Sequence, residues 1–329
     1  MLRRFAAPPE AFMGMRMDWK SRPRRSLLFV PGNDARKLDR ADTARADTLI
    51  LDLEDAVAPS EKEHAREEVS SRIRGTAFTA SEVAVRINAP GSPDFEADLQ
   101  SVVSSGARLL LIPKVESALG IAAVSEAVSK LERSADAGCV RLLALVESAR
   151  GVANLESIGE GSTRLEGLCF GNADFALDMS LPDPDPSRGV VYQARCNLAI
   201  AAVALRVSPI DGVCLAVKDD AAFRAEASEA ARLGFHGKLC IHPSQVRLAN
   251  EIFSPSEDQI AAARRIVEAW NAATVLGQGV FSLDGKMIDA PLVEVQKQVL
   301  ERARGLEESS ETTSRPTESV SCNETTSTS

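Results

Sequence analysis

The sequence predicts an α/β protein whose body is a closed (β/α)₈ TIM barrel with a C-terminal helical lid extension. Three observations carry this. Eight short apolar runs recur along about 220 residues. Ala-, Glu- and Arg-rich stretches with helical spacing separate most of them, as in residues 220–235. The runs are nearly continuous in apolar residues, the mark of parallel strands covered on both faces. In order they are SLLFV (26–30), TLILDLE (48–54), VAVRIN (83–88), LLLIPKV (109–115), LLALVE (142–147), GLCFG (167–171), GVCLAV (212–217) and KLCIH (238–242). An open doubly wound sheet is the alternative. The first strand lacks the GxGxxG that a dinucleotide-binding version would need. After the eighth run come a helix at 256–276, a β-like piece at 279–283 and a helix at about 290–304.

Composition narrows the function. The chain has 329 residues, 44% hydrophobic and 26% charged, so it buries a substantial core. Aromatics are 4% and the net charge is −9, which disfavours nucleic acid and acidic membranes as partners. No apolar run reaches the roughly 18–20 residues of a membrane helix. The six cysteines (139, 169, 196, 214, 240, 322) show no zinc spacing and read as core thiols of a cytoplasmic protein. Charge is uneven: residues 1–25 carry +5, residues 305–329 carry −4 and the body −10. Residues 1–22 read as a leader outside the fold, 23–250 as the barrel, 251–304 as the extension, and 305–329 as a disordered Ser/Thr/Glu-rich tail.

In a parallel barrel the C-terminal strand ends share one face, where chemistry gathers. Strand 2 brings Asp52, Glu54 and Asp55 there, strand 3 Arg86 and Asn88, and strand 4 Lys114 and Glu116. Strand 5 brings Glu147, and strand 6 runs into Gly171-Asn172-Ala173-Asp174. Convergent carboxylates without His or Cys partners suit a hard divalent cation, Mg²⁺ above all, with Mn²⁺ as the alternative. Zinc would want His or Cys, and the three His are scattered. Such a cation beside an arginine supplies fixed positive charge where an enolate oxygen develops. His242, at the end of strand 8, is read as stabilising its strand–loop corner.

Eight segments in register carry a family resemblance. They are RSLLFVPGN (25–33), ADTLILDLEDAV (46–57), VRINAPGS (85–92), LIPKVES (111–117), LVESARG (145–151), FGNADFALDM (170–179), GFHGKLCIHPSQV (234–246) and GKMIDAPL (285–292). Together they resemble the citrate lyase β-subunit-like branch of the HpcH/HpaI aldolase family, which includes citryl-, malyl- and citramalyl-CoA lyases. The resemblance spans about residues 24–304. It implies a Mg²⁺-dependent barrel enzyme that makes or breaks a C–C bond beside a CoA thioester, yielding acetyl-CoA and a 2-keto acid. It also implies a homotrimer or homohexamer.

Carried over by motif, Glu147 and Asp174 would be metal ligands, and Arg86 would hold the substrate oxygens and the thioester enolate. Glu54 and Asp55 would hold metal-coordinated water and Arg86. Backbone amides of Gly171, Asn172, Ala173 and Asp174 would cradle the keto-acid carboxylate. Asp289, which on its own reads as a helix N-cap, would be the proton-transfer residue on a neighbouring subunit's lid. Lys114 and the cations near the first βα loop, Arg25, Arg36 and Arg40, would serve the CoA ester. The segment at 181–195 replaces the Gly-rich stretch usual after the metal loop and borders the keto-acid pocket. Two other readings stand beside the lyase: a malate synthase-like condensing enzyme or thioesterase on the same scaffold, and a non-catalytic CoA-binding subunit. The presence of Arg86, Glu147 and Asp174 together argues against the last.

Overall fold

The computed structural model describes residues 23–75, 77–79, 81–135, 139–277 and 279–312, so the expected leader at 1–22 and the end of the tail lie outside the described residues. The strands close into one parallel barrel in chain order. They are β1 (Ser26–Pro31), β2 (Thr48–Asp52), β3 (Glu82–Arg86), β4 (Leu109–Ile112), β5 (Arg141–Val146), β6 (Leu165–Phe170), β7 (Ser208–Asp211) and β8 (Gly237–Cys240). Helices cover the outside. They include α1 (Ala35–Ala41), α2 (Lys62–Arg74), α3 (Phe95–Ser104), α4 (Ala118–Ala135), α5 (Ala149–Ala153) and α6 (Leu155–Glu160). Then come α7 (Asn172–Asp178), α8 (Gly189–Ala204), α9 (Asp220–Leu233) and α10 (Pro243–Ile252).

The period-2 geometry of strands sorts the core into two sets. Leu27, Ile50, Ala84, Leu111, Leu145, Cys169, Ile210 and Leu239 pack together as the barrel's filling. Their neighbours in sequence, such as Leu28, Leu49, Leu51, Val85 and Leu110, pack in the larger set with the helices. The inward rows then continue toward the strand ends. Two residues past Leu27 is Phe29, past Ile50 is Asp52, past Ala84 is Arg86, past Leu145 is Glu147, and past Cys169 is Gly171. The site is thus the next layer of the same rows. At the opposite end, Arg24 and Arg141 each bridge Glu82 and Glu166 at 2.6–2.9 Å, a closed ring of alternating charge.

The seventh strand departs from expectation. It is Ser208–Asp211, not 212–217. Pro209 disguises it, because proline weakens a strand reading, yet near a strand's start its missing N–H is tolerated. The apolar run that follows is loop, and a side chain takes both backbone groups of its second residue. Asn172 accepts from the Val213 N–H at 2.9 Å and donates to the Val213 carbonyl at 3.0 Å.

The chain divides into two compact units at 259/260 rather than at the expected 250. The reason is that α10 packs against β1 and β8 and so belongs to the barrel. The second unit holds most of α11 (Glu257–Val275), a hairpin of β9 (Phe281–Leu283) and β10 (Lys286–Ile288), and α12 (Ala290–Thr312). The hairpin turns on Asp284 and Gly285, with φ of 50° and 75°, the left-handed pair that a two-residue turn requires. Helix α12 runs past 304 into the segment expected to be disordered. Leu306, Glu307 and Glu308 are good helix formers and extend it. Among the described residues no helix is long and apolar enough to cross a membrane.

Candidate active site

Asp52 and Arg86 are direct partners in the β2–β3 register. The guanidinium therefore meets the carboxylate as a fork, Nε to Oδ1 at 2.7 Å and Nη2 to Oδ2 at 2.6 Å. Asp52 is 1% exposed. It also accepts from the amides of Glu54 at 2.9 Å and Ala56 at 3.2 Å, so one carboxylate shapes the 53–56 loop and fixes Arg86. In the sequence Asp52 ends a strand with no local mark of this role. The pairing register sets it.

The remaining edge of Arg86 faces the loop acids. Nη1 lies 3.2 Å from Glu54 Oε2 and 3.4 Å from Asp55 Oδ2. Lys114 Nζ holds the other oxygen of Glu54 at 2.9 Å. Glu54 Oε2 is nonetheless buried without a hydrogen bond, since the Arg86 contact is an ion pair out of line. Burial raises the Glu54 carboxyl above its ordinary range. The bond to Glu54 raises the Lys114 ammonium likewise. Lys114 adopts φ +53°, a conformation rare for a side-chain-bearing residue. That turn aims its N–H at Glu147 Oε1, 2.7 Å away, so one residue holds two acids.

Glu147 is 4% exposed, and burial, with like charges on Glu54 and Asp174 nearby, pushes its carboxyl up to about 8. Its Oε2 takes no hydrogen bond among the described residues. Asp174, in the first turn of α7, is half-buried and without a partner there. Two neighbouring acids, each with an oxygen free of donors among the described residues, fit a hard cation. Among the described residues no three His, Cys, Asp or Glu side chains cage a metal. A cation held by Glu147 and Asp174 would therefore keep positions for water and for ligand oxygens.

Two tests follow from this chemistry. A Cβ on Gly171 would strike the Glu147 Cβ and lie 2.6 Å from Oε2. Gly171→Ala is therefore expected to displace the carboxylate and to abolish the thermal stabilisation that added Mg²⁺ gives the wild type, read by melting curves. The second test is pH. Between the ordinary 4.5 and about 8, the folded metal-free chain binds more protons at Glu147 than the unfolded chain. Rising pH therefore destabilises it through this group. The gain in melting temperature from Mg²⁺ over EDTA should then widen steadily from about pH 5.5 to 8. A gain independent of pH would contradict the assignment of Glu147.

In the β6–α7 loop the four amides are not alike. The Gly171 amide is taken by the Val146 carbonyl at 2.9 Å, so Gly171 contributes closeness rather than a donor. The amides of Asn172, Ala173 and Asp174 open α7 and lack intrahelical acceptors. Arg25 is not brought to this face. It precedes β1, at the far end of the barrel, and is held by Asp47 at 2.7–2.8 Å and by Ser254 at 2.8 Å. Asp289 lies in the second unit, where its carboxylate accepts from the Leu292 N–H at 3.1 Å and caps α12.

Beside the acids is a cavity of about 910 Å³ between the ends of β1 and β8 and α1. Phe29, Arg36, Arg40, Ala56, Ile241 and His242 are among its lining residues. Phe29 belongs to both places, because the Arg86 guanidinium lies 4.8 Å from its ring centroid. Nothing local in the sequence marks this junction.

Known proteins resemble this chain along most of its length. The family model described as HpcH/HpaI aldolase/citrate lyase matches residues 25–243. The citrate lyase subunit beta of Haemophilus influenzae is 36% identical over 283 residues, 85% of this chain and 97% of that protein. A (3S)-malyl-CoA thioesterase of Cereibacter sphaeroides is 35% identical over 291 residues, 88% of this chain and 98% of that one. An L-malyl-CoA/beta-methylmalyl-CoA lyase of Cereibacter sphaeroides is 33% identical over 309 residues, covering 86% and 95%. Among solved structures, the protein CitE from Mycobacterium tuberculosis in complex with magnesium, acetoacetate and coenzyme A superposes with a TM-score of 0.72. It is 28% identical, over 86% of this chain and 99% of that one.

Proposed function

This chain belongs to the HpcH/HpaI aldolase/citrate lyase family, and on that premise we propose that it cleaves the C–C bond of a 3-hydroxyacyl-CoA thioester. The products are acetyl-CoA and a 2-keto acid. One observation carries the reading: Phe29 joins a cavity roomy enough for a long cofactor arm to the basin of acids around Arg86. A thioester carbonyl carried past Phe29 would come within reach of Arg86 and the acids. Magnesium and coenzyme A, both present in the CitE complex, are the matching cofactor and carrier.

Glu147 and Asp174 would hold the Mg²⁺. When bound, the cation supplies positive charge to the keto-acid oxygens. Arg86 contributes fixed charge where the thioester oxygen becomes an enolate oxygen, and Asp52 keeps it aimed there without reorganisation. Glu54, steadied by Lys114, and Asp55 hold the outer edge of Arg86 and offer acceptors to the substrate hydroxyl. The amides of Asn172, Ala173 and Asp174 receive the keto-acid carboxylate. Arg36 and Arg40 meet the phosphates of CoA. Asp289, on the C-terminal unit of a neighbouring subunit in a homotrimer or homohexamer, transfers the proton to and from carbon.

A second reading, thioester hydrolysis, is favoured by the name of the thioesterase relative. One assay separates the two. The full chain is incubated with malyl-, citramalyl- and citryl-CoA and Mg²⁺, and the products are identified. The lyase gives a 2-keto acid and acetyl-CoA in equal amounts. Hydrolysis gives free CoA and the intact hydroxy acid. No turnover of any thioester by folded protein would refute both.

A further inference from the structure

The cavity wall holds a histidine whose hydrogen-bonding state the fold dictates. His242 is the N-cap of α10. Pro243 follows it and has no N–H, so the first amide available to the cap is that of Ser244. That amide donates to His242 Nδ1 at 3.2 Å, and the Ser244 hydroxyl lies 2.8 Å from the same nitrogen. A backbone N–H can only donate. Nδ1 of the neutral ring is therefore an acceptor, and the proton sits on Nε2. Among the described residues Nε2 has no partner, and His242 lines the cavity.

The charges around it are sorted by their own partners. Lys37 is answered by Asp34 at 3.2 Å, and Asp39 by Arg72 at 2.6 Å. Arg36 and Arg40 remain. They lie one turn apart on α1, line the same cavity, and make no ion pair among the described residues. Two uncompensated guanidinium groups on α1 and an N–H donor at the end of β8, all lining one cavity, match the oxygens of a phosphate.

We infer that His242 is a ligand-binding residue, whose Nε2–H donates to a phosphate of the CoA moiety alongside Arg36 and Arg40. This rests on the reading of the substrate as a CoA ester, and it gives His242 a role beyond the corner that it caps.

Two substitutions separate the cap from the donor. His242→Asn keeps an acceptor for the Ser244 amide and removes the distal N–H. His242→Gln places an amide N–H near the position of Nε2 and gives up the cap. Coenzyme A binding to the full chain with Mg²⁺ is measured by calorimetry. We expect H242N to melt like the wild type and bind coenzyme A roughly tenfold more weakly, the size of one charge-assisted hydrogen bond. H242Q should bind within about threefold of the wild type. The same hydroxyacyl group carried on pantetheine, which lacks the phosphates, should be cleaved by H242N with unchanged kcat/KM.

Wild-type affinity in H242N overturns the inference. So does a loss in H242Q equal to that in H242N, which would show that a distal N–H does not restore binding. An equal loss with the pantetheine thioester overturns the assignment to phosphate. If the wild type binds no coenzyme A, it is the underlying reading that fails.

Discussion

Replacing Glu147 by glutamine is expected to cut Mg²⁺-dependent cleavage at least about a thousandfold while leaving the barrel folded. The side chains are nearly isosteric, and the glutamine carbonyl can still accept from the Lys114 amide as Oε1 does now at 2.7 Å. What disappears is one anionic ligand in a basin where Asp174 is the other proposed one. The physics predicts a second, opposite sign. Burial already disfavours the Glu147 anion, with neighbouring acids adding to it. In EDTA at about pH 8 the neutral variant should therefore melt higher than the wild type. Added Mg²⁺ should stabilise the wild type and leave E147Q unmoved. Loss of activity with a lower melting point in EDTA would mean a packing role instead.

The second large effect is at Arg86. Lys is expected to lower kcat by about a hundred- to a thousandfold. Arg86 uses Nε and Nη2 on the two oxygens of Asp52 and still presents Nη1 to Glu54, Asp55 and the basin. An ammonium reaches one such partner at a time and has no edge left over. Coenzyme A itself should bind R86K nearly as it binds the wild type, because Arg36 and Arg40 lie on a different wall. The kinetic loss should thus fall on kcat, the mark of charge that acts in the transition state. The melting point should drop as well, by the equivalent of a few kcal/mol, because the Asp52 carboxylate loses half of its fork in a buried place.

These residues show what sequence reveals and where it stops. The barrel was legible because eight apolar runs with helical spacers leave few other architectures. Glu54, Arg86, Glu147 and the 171–174 loop were legible because each ends an apolar run, and a parallel barrel gathers such ends on one face. Partnership was not. That Asp52 faces Arg86 follows from strand register, a long-range property with no local sign. Pro209 hid β7, and the apolar run after it is loop, held by the hydrogen bonds of Asn172. Arg25 looked like its neighbours in sequence, but it precedes β1 whereas Arg36 and Arg40 follow it, and that difference is the length of a barrel strand. Phe29 lies inside the first apolar run. It is core on one side, and on the other it joins the cavity to Arg86.

The central claim is that bond cleavage leaves an enolate of acetyl-CoA that the site must protonate. Turnover in D₂O tests it directly, with Mg²⁺ and whichever hydroxyacyl thioester the protein accepts, and the CoA product read by mass spectrometry. Cleavage through an enolate places one solvent deuteron on the methyl carbon, so the product is acetyl-CoA one mass unit heavier, formed in step with the keto acid. Free coenzyme A together with the intact, carbon-unlabelled hydroxy acid would contradict the account.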